Sequence, residues 1–132
     1  MEGRLKERLE SAERALRHLQ ELAAKQERSE VERDAMIHRF EFTFELAWKA
    51  AKEYLREEEG IDAASPKKVI RICREIGMMT EEQTEQMLLM ADDRNLTAHA
   101  YDEEMAERIA ERIRGHAELL GIWLEKMKRV DV

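Results

Sequence analysis

One cysteine, one proline and five glycines are all that 132 residues contain. A lone thiol, Cys73, excludes an intramolecular disulfide and suits a reducing compartment. So few helix-breaking residues leave long stretches free to run as helix. No apolar run approaches the roughly 20 residues that cross a bilayer. The opening MEGRLKERLE lacks the apolar segment of a signal peptide. A soluble, cytoplasmic chain with no membrane partner is therefore expected. Alternating β-branched segments bounded by turns are missing as well, so no sheet is expected. Positive charge is the minority sign, with 23 basic against 30 acidic residues and a net charge of −7. That balance argues against constitutive, non-specific nucleic-acid binding and requires a local basic patch for any phosphate-bearing partner.

What is present is a mixture of 43% apolar and 40% charged residues, the blend of amphipathic helices. Five helices are predicted. The first runs from about Glu2 to Gln26 on a stripe of Leu5, Leu9, Ala12, Leu16, Leu19 and Leu22. The second opens at Ser29, paired with Glu32 as a capping box, and runs through Ile37, Phe40, Phe44, Ala47, Trp48, Ala51 and Leu55 to Gly60. All three phenylalanines lie in it, which marks it as the central packing element. After the link Ile61 to Ala64, Ser65 and Pro66 form a cap and a first-turn proline. The third helix carries Val69, Ile70, Ile72, Cys73 and Ile76 and ends at Gly77. Thr80 and Gln83 make a second capping box for the fourth, which holds Met87, Leu88 and Met90. The fifth starts at Asp102 and reaches about Arg129 through Met105, Ile109, Ile113, Ala117, Leu120, Leu124 and Met127. Short links suggest an all-α, up-and-down antiparallel bundle in a single domain spanning residues 1–132.

The helical pattern lapses between Ala91 and Asp102, where polar groups crowd together. Arg94 and His99 stand five positions apart. On an unbroken helix they would point about 140° away from each other. To share a site, either the helix ends or bends between them, or they meet their counterparts across a two-fold axis. Thr97 and Asp102, which favour helix termini, supply the break. His99 then lies just ahead of a helix N-terminus, whose free N–H groups and dipole attract anions and favour a neutral imidazole. An arginine that can grip phosphate with two hydrogen bonds and a histidine that exchanges protons near neutrality make a candidate phosphate site.

The run Arg94-Asn95-Leu96-Thr97-Ala98-His99-Ala100-Tyr101 resembles the Arg-x4-His-x-Tyr signature of HEPN-domain proteins. The segment from Arg39 to Lys49, RFEFTFELAWK, resembles the second-helix motif of one branch, the nucleotidyltransferase substrate-binding proteins, which includes HepT-type toxins. The resemblance implies a homodimeric helical bundle paired with a minimal nucleotidyltransferase. Many such proteins are metal-independent endoribonuclease toxins whose Arg and His face a cleft at the dimer interface. By that resemblance Arg94 binds and polarises the scissile phosphate, and His99 is general base or acid at the ribose 2′-OH or the leaving oxygen. Asn95 is an auxiliary polar contact, and Tyr101 is the acceptor that the transferase adenylylates. RNA is then the substrate, and modification of Tyr101 shuts the cleft with charge and bulk. A non-catalytic subunit that presents a substrate to the transferase is the alternative, and a plain dimerisation module is the third.

Other residues have blander readings beside the functional ones. Arg94 can pair with Asp92, Asp93 or a helix-end carboxylate. Asp92, Asp93 and His99 lack a second histidine at ligand spacing, so neither a metal nor any other cofactor is expected. Lys67, Lys68, Arg71 and Arg74 form a basic stripe with no acid before Glu75. It is either a solvated helix face or an RNA or phosphate contact leading toward the cleft. His18, His38 and His116 fall on charged helix faces and are expected to be solvated or interfacial. Cys73 and the eight methionines are read as core, and Trp123 as core or dimer interface.

Overall fold

A computed structural model describes residues 3–128. Helix α1 spans Gly3–Ala23 and α2 spans Glu30–Tyr54. A widened π turn, Leu55–Glu59, continues α2. Then follow α3 (Pro66–Glu75), α4 (Glu81–Leu96), a 3-10 turn (Thr97–His99) and α5 (Glu103–Lys128). The antiparallel bundle predicted from the short links is the observed fold, and no strand occurs among the described residues. Among those residues, no helix is long and apolar enough to cross a membrane.

The predicted caps form as hydrogen bonds. Ser29 Oγ accepts from Glu32 N–H at 3.1 Å while Glu32 accepts from Ser29 N–H at 2.9 Å. Thr80 and Gln83 repeat the exchange at 3.0 and 2.9 Å. Each pair satisfies two amide donors that a helix start otherwise leaves open. Asp102 Oδ1 accepts from Met105 N–H at 3.0 Å and so caps α5. Two ends differ from expectation. Helix α1 stops at Ala23, short of Gln26: Lys25 N–H turns back to Leu22 O, Arg114 donates to Ala23 O, and Arg28 donates to Leu22 O and Lys25 O. Regular α2 stops at Tyr54, and both Gly60 and Ile61 return their N–H to Leu55 O, closing a wider loop at Gly60 (φ 66°). Arg129, the expected end of α5, lies outside the described residues.

Helix α2 packs against all four other helices; α1 and α5 line one side of it, and α3 and α4 pair on the other. One connected core draws on all five helices. The predicted stripes enter it: Leu5, Leu9, Leu16 and Leu19 from α1, Phe40 and Phe44 from α2, Ile109, Ile113, Leu120 and Leu124 from α5. Phe42, the third phenylalanine, stays 37% exposed. Trp123 is fully buried in the core, beside Cys73. Burial pushes the Cys73 thiol up to about 11, the nearby Trp123 indole offsetting part of the rise.

Candidate functional site

Arg94 sits in the last turn of α4, and the chain leaves α-helical geometry three residues later. Thr97 is the cause: its hydroxyl donates to Arg94 O at 2.7 Å, satisfying a carbonyl that the next helical turn would otherwise take. The chain then tightens into the 3-10 turn, with Ala100 N–H donating to Thr97 O and Asp102 N–H to His99 O. The break expected between Arg94 and His99 is therefore present, and Asp102 caps the following helix as predicted.

The Arg94 side chain is about a quarter exposed and reaches α2. Its Nε lies 3.2 Å from Glu45 Oε1 and its Nη1 3.8 Å from Glu41 Oε2. Trp48 Nε1 donates to the other oxygen of Glu45 at 3.1 Å, which fixes that carboxylate. Glu41, Glu45 and Trp48 are spaced by four and three residues, so they share one face of α2. These partners replace the Asp92 and Asp93 pairing considered from the sequence. Asp92 instead meets Lys67 across the α3–α4 contact. Arg94, Asn95 and Lys67 line one cleft of about 340 Å³, together with Phe44, Glu45 and Pro66.

His99 and Tyr101 are outside that lining, on the turn beyond α4. Both are exposed, Tyr101 at 87%, and their rings meet edge to face with centroids 6.1 Å apart. Within one chain, then, the arginine end and the histidine–tyrosine end occupy adjoining stations. The rest of the basic stripe also separates: Arg74 pairs with Glu81 at 3.7 Å, while Lys68 and Arg71 are exposed. Its apparent lack of acids ends in the tertiary structure, where Asp92 and Glu81 are supplied by α4 and its start.

One set of site-forming residues escaped the sequence. Asp93, next to Arg94, is buried and receives two hydrogen bonds from Arg112, from Nε and Nη2, each at 2.7 Å. His116 Nε2 lies 2.7 Å from the same carboxylate, and its ring stacks on Phe40 at 5.3 Å. His116 was expected on a solvated or interfacial face, but it is 6% exposed. The stripe of α5 rotates it toward α4, and Asp93 supplies the partner that a buried imidazole needs. Burial alone pushes the Asp93 carboxyl up; hydrogen bonds from His116 and Arg112 outweigh it and hold the group below the usual carboxylate range. Separations of 19 and 23 residues leave no local pattern to reveal the cluster.

A second joint fixes the start of α5. Arg33, buried in α2, donates to Glu103 at 3.0 and 3.1 Å and to Glu107 at 2.7 Å, with Asp34 beside it. The carboxylates of Glu103 and Glu107 raise the guanidinium above its usual value despite desolvation. Arg33 and Asp93 thus pin α5 to α2 and α4 on either side of the turn that carries His99 and Tyr101. No group of three or more His, Cys, Asp or Glu residues is placed to hold a metal among the described residues.

This helical arrangement recurs in known structures. A protein from Thermus thermophilus is 49% identical, with a TM-score of 0.86, the match covering 88% of this chain and 98% of that one. A Shewanella oneidensis HEPN toxin, tri-AMPylated and in complex with its MNT antitoxin, is similar at a TM-score of 0.78 over 98% of this chain and 99% of its own. Its identity is 14%, so the likeness is one of fold. A Haemophilus influenzae protein with the fold of a substrate binding domain of a nucleotidyltransferase is 23% identical, at a TM-score of 0.77 over 91% of this chain and 98% of its own. No curated protein sequence matches this chain. The family model for nucleotidyltransferase substrate binding protein-like proteins matches residues 7–129, and the chain belongs to that family.

Proposed function

We propose that this protein is a single-domain, homodimeric HEPN-type partner of a minimal nucleotidyltransferase and acts as a metal-independent endoribonuclease. The observation that carries the reading is the junction itself: Arg94 on the last turn of α4, His99 on a 3-10 turn, and Tyr101 beside it at 87% exposure. Arg94 holds the scissile phosphate and stabilises charge gathering on its oxygens. His99, open to substrate, takes the 2′-hydroxyl proton or returns one to the departing 5′-oxygen. Asn95, on the cleft wall beside Arg94, adds a polar contact. Because Arg94 and His99 occupy adjoining stations in one chain, a two-fold partner completes the set by bringing its own copies. Lys67 is the member of the basic stripe nearest this chemistry, as it lines the Arg94 cleft; Lys68, Arg71 and Arg74 lie further along α3.

Tyr101 is the modification point in this reading. Its exposure lets a transferase reach the hydroxyl, and its contact with His99 means that an added AMP puts a phosphate and a nucleobase against the imidazole. That a Shewanella protein of the same fold is an AMPylated toxin bound to an antitoxin supports AMPylation as the modification here.

One observation favours a second reading, a non-catalytic substrate-binding subunit of a nucleotidyltransferase. Glu41 and Glu45 already neutralise Arg94, and a phosphate must displace them. The two readings separate in one experiment. Unmodified protein is incubated with RNA and EDTA, beside His99→Ala and Arg94→Ala. Cleavage lost in both variants supports the ribonuclease; binding without cleavage by the native protein selects the subunit. Coexpression with a cognate transferase is expected to add one or more AMP masses, absent in Tyr101→Phe. Sedimentation is expected at twice the 15.6 kDa chain mass.

A further inference from the structure

A second cleft, of about 500 Å³, opens between the start of α1 and the end of α2. Its walls carry Arg4, Arg8, Lys49, Lys52 and Arg56, against two carboxylates, Glu53 and Asp62. Five cations around one hollow are conspicuous on a chain whose net charge is −7. Arg4 and Arg8 are one turn apart on α1; Lys49, Lys52 and Arg56 follow one another at three and four residues along α2 and its π turn.

Two largely buried acids lie beneath the cleft, Glu53 and Glu57, the second with an oxygen 3.6 Å from Arg56 Nη2. Glu53, with its side chain 7% exposed, accepts a hydrogen bond from Arg56 and lies 3.8 Å from both Arg4 Nη1 and Arg8 Nε. At 3.8 Å those last two contacts are attractions of charge without a hydrogen bond. Arg8 Nε is buried and has no hydrogen-bond acceptor among the described residues. Glu53 and Glu57 hold Arg56 directly, while Glu53 orients Arg4 and Arg8 without consuming their donors, which is what an anion site needs before its anion arrives. The widened turn that places Arg56 has the geometry that often accompanies function.

The aromatic in this hollow, Trp48, is 9% exposed and offers no open face for a base. Recognition is thus of charge, by groups spread along two helices. The Trp48 indole also links the cleft to the candidate site, since its N–H holds Glu45, the partner of Arg94. From Glu45 to Lys52 and Arg56 is about 10–16 Å along the helix axis. We propose that this cleft binds consecutive phosphates of a single-stranded RNA whose chain runs on past Arg94. The inference rests on the ribonuclease reading for its choice of RNA, and its chemistry is shared by the triphosphate of a nucleotide.

The test uses a labelled, 2′-O-methylated oligoribonucleotide, which cannot be cut, and separately inorganic tripolyphosphate. Lys49 and Lys52 are both exposed, so Lys49→Gln/Lys52→Gln leaves the core untouched; circular dichroism checks this. In anisotropy titrations from 50 to 200 mM salt, native protein is expected to lose affinity on a log–log slope that falls in the double variant by about 1.4, from about 0.7 per phosphate contact. Arg8→Gln is expected to lower the slope again. An unchanged slope and affinity in both variants overturns the cleft as a phosphate site. Loss of tripolyphosphate binding alone, with the oligonucleotide unaffected, overturns RNA in favour of a nucleotide. If native protein binds RNA through the cleft but never cuts the unmethylated strand, the ribonuclease reading falls and the phosphate site stands.

Discussion

Asp93→Ala removes the joint between α4 and α5, and its cost follows from the three groups involved. The carboxylate makes three contacts of 2.7 Å, two with Arg112 and one with His116. A hydrogen bond to a charged group contributes about 1.5–3 kcal/mol. The Arg112 side chain is 46% exposed, so it turns to water and recovers most of its share. His116 cannot, being 6% exposed, and an orphaned buried donor costs about 1–3 kcal/mol. Adding the small cavity left by the carboxylate gives a net loss of about 3 kcal/mol. For a chain of this length that lowers Tm by about 10 °C. Urea unfolding at pH 7, followed by circular dichroism, reads the loss as a lower midpoint at unchanged slope. Arg112→Ala and the double variant complete the cycle, with an expected coupling of about 1–2 kcal/mol. A loss below about 1 kcal/mol for Asp93→Ala, or strict additivity with Arg112→Ala, refutes the role of this cluster. The pH dependence has a definite sign. The Asp93 carboxyl is held below its unfolded value, so its stabilisation is complete above about pH 4 and disappears as pH falls through the folded value. The share of the gap between native protein and Asp93→Ala that comes from the Asp93 carboxylate therefore closes in acid.

Three further outcomes are expected. Glu45→Gln frees Arg94 from its nearer carboxylate, so phosphate or RNA affinity should rise a few fold while turnover falls as the guanidinium loses its fixed direction; affinity and rate changing together in the same sense would argue against this. Arg33→Met deletes the joint of α2 with Glu103 and Glu107 and should speed hydrogen exchange at the start of α5 more than in α1; uniform protection would contradict it. Cys73, buried and with its thiol raised to about 11, should resist thiol reagents at neutral pH until the protein unfolds; rapid labelling of the native state would show the packing to be wrong.

Much of the architecture was legible because helices are written locally. Ser29 with Glu32, Ser65 with Pro66, and Thr80 with Gln83 announce helix starts by side chains that reach amides three residues on. The stripe from Leu5 to Leu19 repeats at the period of the helix it forms. The junction was legible for the same reason: Thr97 and Asp102 act on carbonyls and amides within three residues of themselves. By contrast, α2 widens at Leu55 where the periodicity promised regular helix to Gly60, and Gly60 and Ile61 both return their N–H to Leu55 O.

From the sequence alone came the helical class, the caps, and the position of Arg94, His99 and Tyr101 at a helix break, all consequences of interactions shorter than two helical turns. Tertiary structure alone decided the partners: Glu41 and Glu45 for Arg94, Arg112 and His116 for Asp93, Asp92 and Glu81 for the α3 stripe, and Glu53 for the arginines of the basic cleft. Charge pairing acts through space over a few ångströms, and which charges come that close is settled only when helices distant in the chain pack together.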